Sequence, residues 1–128
     1  MEFELTHEFN TTPQKLYTAY LDSLQHEAMT GGEADITNVV GDDFSAWDEY
    51  ITGRNIFLEP NSKILPHWRT TDFPETRPDS IVEISLEELE PNRTKLTLKH
   101  SNLTDKNSHY KKGWIEHYFK PITEFFVD

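Results

Sequence analysis

Residues 80–101 read SIVEISLEELEPNRTKLTLKHS, and their alternation decides the fold. Val82, Ile84 and Leu86 fall on one side of an extended chain, with Glu83, Ser85 and Glu87 on the other. Beyond a turn at Pro91-Asn92, Leu96, Leu98 and His100 take the inner parity, and Lys95, Thr97 and Lys99 the outer. Such a pattern is an antiparallel hairpin with one wet face and one face that must be covered. Upstream the period of two continues, predicting strands over 34–40, 44–47, 50–59 and 64–71. Gly41-Asp42-Asp43 and Pro60-Asn61 serve as turns, and the segment 73–79 is a loop holding two prolines. Residues 2–10 alternate as well, with Phe3, Leu5, His7 and Phe9 on one face.

Between the first strand and the rest lie two helical signals. Thr12-Pro13 reads as N-cap and first helical position, followed by Leu16, Tyr17, Tyr20 and Leu21 at helical spacing. Asp22 caps a second short helix, with Gln25 at the capping-box position and Gly31-Gly32 at its end. Downstream of the hairpin, Tyr110, Trp114, Tyr118, Ile122 and Phe125 recur every three to four residues. This predicts a long C-terminal helix, capped by Thr104 or Asp105 and kinked or re-angled by Pro121. The expected architecture is α+β: a strand, two short helices, a six-stranded antiparallel run and a long helix packed on the sheet. A sheet folded around a helix leaves space between them, where a pocket forms.

Composition narrows the function. The 128 residues suit one domain with a real core. There is no cysteine, which removes disulfides, thiolate chemistry and cysteine-bound metals. A net charge of −11 repels nucleic acid and anionic membrane surfaces. The start Met1-Glu2-Phe3-Glu4 has no secretory character, and no apolar run nears the ~20 residues of a membrane span, so the expected location is the cytoplasm. Hydrophobic content is 35%, but aromatics reach 12%, so large rings must supply much of the core.

Few residues suggest catalysis. His7, His26, His67, His100, His109 and His117 show no metal-ligand spacing, so no metal and no cofactor are expected. His100 reads either as a polar group at a pocket floor or as a strand-end histidine bonded to its surroundings. Glu87, Glu88 and Glu90, like Asp42, Asp43, Asp48 and Glu49, lie at turns, strand ends or on the outer face, and read as solvated carboxylates. No nucleophile motif or phosphate-binding glycine pattern is present. The aromatic set either lines a cavity or fills the core. Arg54 is a buried cation awaiting an anion if its face is inward, or a surface ion pair if it is not. The candidate pocket residues are therefore Trp47, Tyr50, Arg54, Trp68, Phe73, Ile84, Leu98, His100, Tyr110, Trp114 and Tyr118.

An ordered series of short words carries a family resemblance: Thr30-Gly31-Gly32-Glu33-Ala34, then Gly41-Asp42-Asp43-Phe44-Ser45-Ala46-Trp47, then Ile51-Thr52-Gly53-Arg54-Asn55. Glu59-Pro60, Ile64 to Trp68-Arg69, Leu96-Thr97-Leu98-Lys99-His100, Tyr110 and Gly113-Trp114 complete it. The chain resembles the helix-grip (START-like, SRPBCC) superfamily, and within it the activator of heat-shock-protein-90 ATPase homologue-like family, of the C-terminal-domain type. The resemblance implies an apolar sheet–helix pocket and no catalytic residue set common to the family. The expected partner is a small hydrophobic ligand, with Trp114→Ala costing affinity more than stability. The alternative is a stress-related regulator of a chaperone ATPase acting by protein contact. Cyclase and hydrolase relatives of the fold offer a third reading, which needs an inward acid–base pair such as His100 with a tyrosine or carboxylate.

Overall fold

A computed structural model describes residues 1–104 and 109–127. The elements are β1 (Phe3–Phe9), α1 (Pro13–Leu21), α2 (Ser23–Thr30), β2 (Asp43–Ala46), β3 (Ile51–Glu59), β4 (Lys63–Thr70), β5 (Ser80–Glu90) and β6 (Arg93–Ser101). The C-terminal helix follows as α3 (His109–Trp114), a π-helical turn (Ile115–Phe119) and α4 (Lys120–Phe125). The strands form one antiparallel sheet in the order β1-β6-β5-β4-β3-β2.

Local chemistry explains most boundaries. The Thr12 hydroxyl accepts from Lys15 N–H at 3.1 Å, and the Asp22 carboxylate accepts from Gln25 N–H at 3.0 Å, so both helices start where capping side chains stand. Gly31, at φ 87°, closes α2 in the left-handed conformation, and its N–H donates to the Glu27 carbonyl. In β5 and β6, Val82, Ile84, Leu86, Leu96, Leu98 and His100 are buried, as their parity requires.

The strand expected over 34–40 does not form. Ala34 and Ile36 are buried, but the segment makes a single bridge, Asp35 to Ser45. The Ser23 hydroxyl takes both backbone groups of Ile36, accepting its N–H at 2.9 Å and donating to its carbonyl at 3.1 Å. A side chain from α2 thus replaces a strand partner. The run after the helices therefore has five strands, and β1 completes the six.

Trp47, expected at the end of a strand, instead opens a turn of unusual hand. Trp47, Asp48 and Glu49 have φ of 52°, 57° and 71°. Three consecutive side-chain-bearing residues in the left-handed region are strained. The turn is pinned by Asp48, whose carboxylate accepts from Glu33 N–H at 2.9 Å and whose N–H donates to the Glu33 carbonyl. Gly32 makes room for it, since a Cβ there would lie 2.6 Å from Cε3 of the Trp47 ring. Glu49→Gly is expected to relieve one residue of this strain and raise stability by roughly 0.5–1 kcal/mol. A urea midpoint that stays put or falls would show that the turn is relaxed.

The C-terminal helix covers the inner face of the sheet. Tyr110, Trp114, Tyr118 and Ile122 are all buried and four residues apart. In a regular α-helix each step of four advances the side chain by about 40°, so this stripe would wind off the sheet. The π turn takes the drift back: Lys120 N–H bonds to the Ile115 carbonyl, five residues away. It lies directly before Pro121, so the irregularity expected at the proline appears as this wider turn. Asp105, one of the two expected caps, lies outside the described residues. No helix among the described residues is long and apolar enough to cross a membrane.

Candidate functional site

The space between sheet and helix is divided. Near the π turn it is closed. There Leu16 and Tyr20 of α1 and Phe119 and Ile122 of the helix meet Ile64, Ile84, Leu86, Leu96 and Leu98, leaving a void of about 10 Å³. At the other end it opens into a cavity of about 470 Å³. Its wall is Trp47, Tyr50 and Ile51 from the left-handed turn and the start of β3, and Trp68 from β4. The helix contributes His109, Tyr110, Lys112, Gly113, Trp114, Glu116, His117 and Tyr118.

Of the residues expected at a pocket, Trp47, Tyr50, Trp68, Tyr110, Trp114 and Tyr118 line this cavity. Four others do not. Ile84 and Leu98 lie under the closed end, where α1 and Ile122 plug the gap. Phe73 is buried behind the wall, its ring centroid 6.3 Å from Trp68 and 6.0 Å from Tyr110. His100 is fully buried beneath Trp68 and Trp114, with ring centroids at 4.7 and 6.2 Å. Arg54 is corrected outright. It is exposed and donates from Nε to the Asp43 carboxylate at 2.9 Å, a surface pair. Asn55 takes the inward position instead, its amide donating to the carbonyls of Thr37 and Val39. A register shift between Asn55 and Phe57 breaks the parity that linked Arg54 to Leu58.

Two buried histidines hold two of the cavity's rings. Trp114 Nε1–H donates to His100 Nδ1 at 3.0 Å. An indole nitrogen only donates, so Nδ1 is bare and the His100 proton sits on Nε2. From there it is given to Ser80 Oγ at 2.9 Å, and the serine hydroxyl donates on to the Trp68 carbonyl at 2.6 Å. His26 has the opposite tautomer. Its Nδ1 lies 2.7 Å from the Tyr20 carbonyl and must donate, leaving Nε2 to accept from the Tyr118 hydroxyl at 3.0 Å. Burial is the chief cause that keeps both rings neutral: it lowers the His26 pKa and brings that of His100 down to about 3, with the Arg77 charge adding at His100. Burial likewise pushes the Tyr118 phenol well above its ordinary value.

Other polar tips are also engaged. Tyr50 donates to the Asp72 carboxylate at 2.6 Å, and Tyr110 shares a hydrogen bond with Thr70. Burial, reinforced by Asp72, raises the Tyr50 pKa. Trp47 and Trp68 differ from these. Their Nε1–H groups are buried and make no hydrogen bond of good geometry among the described residues, although the Trp47 indole stands close enough to the Tyr118 hydroxyl to oppose the rise of its pKa. A buried donor left unpaired costs roughly 1–3 kcal/mol.

The sequence reading missed the rim: Ile51, His109, Lys112, Gly113, Glu116 and His117. Gly113 carries the one usable signal. It sits in mid-helix, where glycine costs about 1 kcal/mol, and a Cβ there would meet nothing within 4 Å. The residue leaves open space on the cavity side. Among the described residues no three His, Asp or Glu side chains are grouped to hold a metal. Trp114 is both wall and core, so Trp114→Ala does not separate affinity from stability as expected.

Comparison with known structures places this architecture. An HSP90 activator from Plasmodium falciparum superposes with a TM-score of 0.88 at 27% identity, over 98% of this chain and 95% of that one. The Aha1 dimer from Colwellia psychrerythraea gives 0.83 at 18% identity, over 99% and 97%. CalU16 from Micromonospora echinospora gives 0.80 at 20%, over 98% and 76%. The last two likenesses show the fold alone. No match was found among curated proteins. Residues 10–126 match the family described as Activator of Hsp90 ATPase homolog 1-like protein. The helix grip, the order of its elements and this match over most of the chain make the protein a member of that family.

Proposed function

We propose that this chain is a non-enzymatic binding protein that holds a small apolar molecule in the cavity between the start of β3, β4 and the C-terminal helix. The observation that carries this is the cavity itself, about 470 Å³ and walled by aromatic rings, with Gly113 holding its helical side open. That volume lies within the range of small-molecule sites, about 300–1,000 Å³. Both ring nitrogens of His100, which an enzymatic reading would need for an acid–base pair, are committed to Trp114 and Ser80.

The chain's three tryptophans all line the cavity, so intrinsic fluorescence reports its occupancy. Titration with 2-acetylnaphthalene is expected to quench them saturably. Gly113→Leu fills the opening with a better helix former. It is expected to weaken binding at least tenfold while leaving the urea midpoint unchanged or higher. A Gly113→Leu protein that binds as well as wild type would place the ligand elsewhere.

A second reading is a regulator of a chaperone ATPase, favoured by the likeness to the Plasmodium HSP90 activator along nearly the full length of both chains. It requires a changed ATPase rate when saturating protein is added to the cognate chaperone, and an unaltered rate removes it.

A further inference from the structure

We infer that the ligand of this cavity is an organic cation, an ammonium group on an apolar body, held by the π-systems of the aromatic wall. The inference rests on the cavity being a ligand site and specifies the charge of what enters. The three indoles of the wall keep their polar ends away from it. Trp114 Nε1–H goes to His100, Trp68 Nε1 is buried, and Trp47 Nε1 is buried beside the Tyr118 hydroxyl. The phenols are tied as well: Tyr118 donates to His26, Tyr50 donates to Asp72, and Tyr110 shares a hydrogen bond with Thr70. The rings therefore meet the cavity through their carbon.

Aromatic carbon is apolar, but its π-electrons attract a cation, most strongly at tryptophan. Three of the six Trp and Tyr rings in the wall are indoles. They form a corner rather than a slot: Trp114 is tilted 33° to Trp68 at 5.8 Å, and Tyr110 stands at 84° to Trp68 at 5.1 Å. A compact ion in a corner meets several rings at once. The charges nearby agree in sign. Tyr50 gives its proton to a carboxylate, which leaves the phenol ring more electron-rich. Glu116, paired with Lys120 at 3.1 Å, stands in the wall. The stretch 33–49, which delivers Trp47, holds six carboxylates and no lysine or arginine, in a chain of net charge −11. Such a field draws cations toward the mouth. Lys112 opposes them, but its side chain is exposed and its strongly hydrated head keeps to water.

Three probes of nearly one shape test this: tert-butylbenzene, phenyltrimethylammonium and benzenesulfonate, which are neutral, cationic and anionic. Each is titrated calorimetrically at two salt concentrations, with 2-acetylnaphthalene as a neutral control. The cation is expected to bind about tenfold tighter than its hydrocarbon isostere, with the sulfonate weakest. The cation's affinity should fall as salt rises, and that of the hydrocarbon should not. Lys112→Gln should strengthen cation binding about twofold and Glu116→Gln weaken it about as much, with tert-butylbenzene unmoved by either. Trp47→Leu, at the half-buried mouth, should remove most of the cation's lead while the hydrocarbon still binds, which also shows that the variant is folded. A lead that survives Trp47→Leu in full, or a hydrocarbon or sulfonate that binds as tightly as the cation or tighter, would overturn the inference while leaving the apolar site intact. Binding of 2-acetylnaphthalene alone would do the same. Failure of all four compounds to bind would overturn the site and the inference together.

Discussion

Acidification from pH 7 to pH 4 is expected to cost this protein several kcal/mol of stability, largely through His100. In the folded state the ring stays neutral down to about pH 3, because burial penalises its charge. Its Nδ1 also accepts the Trp114 N–H, so a proton there would set two donors face to face. Unfolded, the same ring takes a proton near 6.5. Between these values the unfolded chain binds more protons, so stability falls as the pH falls, by about 1.4 kcal/mol per unit for one proton. The loss begins as the pH drops below about 6.5 and is complete near 3, for a total on the order of 5 kcal/mol. His26, lowered in the same direction, adds to it. Urea unfolding at a series of pH values should show this slope, and His100→Gln should flatten it by about one proton. Parallel slopes in the two proteins would mean that His100 titrates as freely in the fold as outside it.

The second large effect belongs to Trp114. Truncation to alanine is expected to cost about 3–5 kcal/mol, from the lost burial of the ring and the cavity left behind. Trp114→Phe separates the hydrogen bond from the packing. It keeps an aromatic ring on the sheet but leaves His100 Nδ1 buried without its donor, for roughly 1–3 kcal/mol. Urea unfolding of both variants measures the two costs. A phenylalanine variant as stable as wild type would show that the Trp114–His100 bond contributes nothing net.

The sequence made some of this legible and hid the rest for physical reasons. Strands β5 and β6 are readable because one face is buried and the other wet, so hydrophobicity alone carries their register. The helix starts are readable because Thr12 and Asp22 act on backbone groups within three residues. The segment at 34–40 misled because its backbone partner is a side chain, Ser23, on another element. Arg54 was undecidable because the register shift after Asn55 lies in the pairing of β3 with β4, not in composition. At the candidate site the rings were found, since buried aromatics at helical spacing stand out. His109, Lys112, Glu116 and His117 were not, because a polar residue on a helix looks the same whether it faces bulk water or the mouth of a cavity.

The strand order also dictates when the protein can be finished. Every strand from β2 to β6 pairs with its neighbour in the chain, but β1 pairs with β6, Phe3 opposite His100. On the ribosome β1 emerges first and has no partner until nearly all of the chain has followed. Pairs so distant in sequence close late and slowly. Until the two strands pair, β6 is an open edge, and Phe3, whose ring centroid ends 5.4 Å from that of His100, does not yet cover it. The nascent chain therefore carries its most buried histidine at an uncovered sheet edge, and a newborn copy depends on its surroundings for longer than its small size suggests.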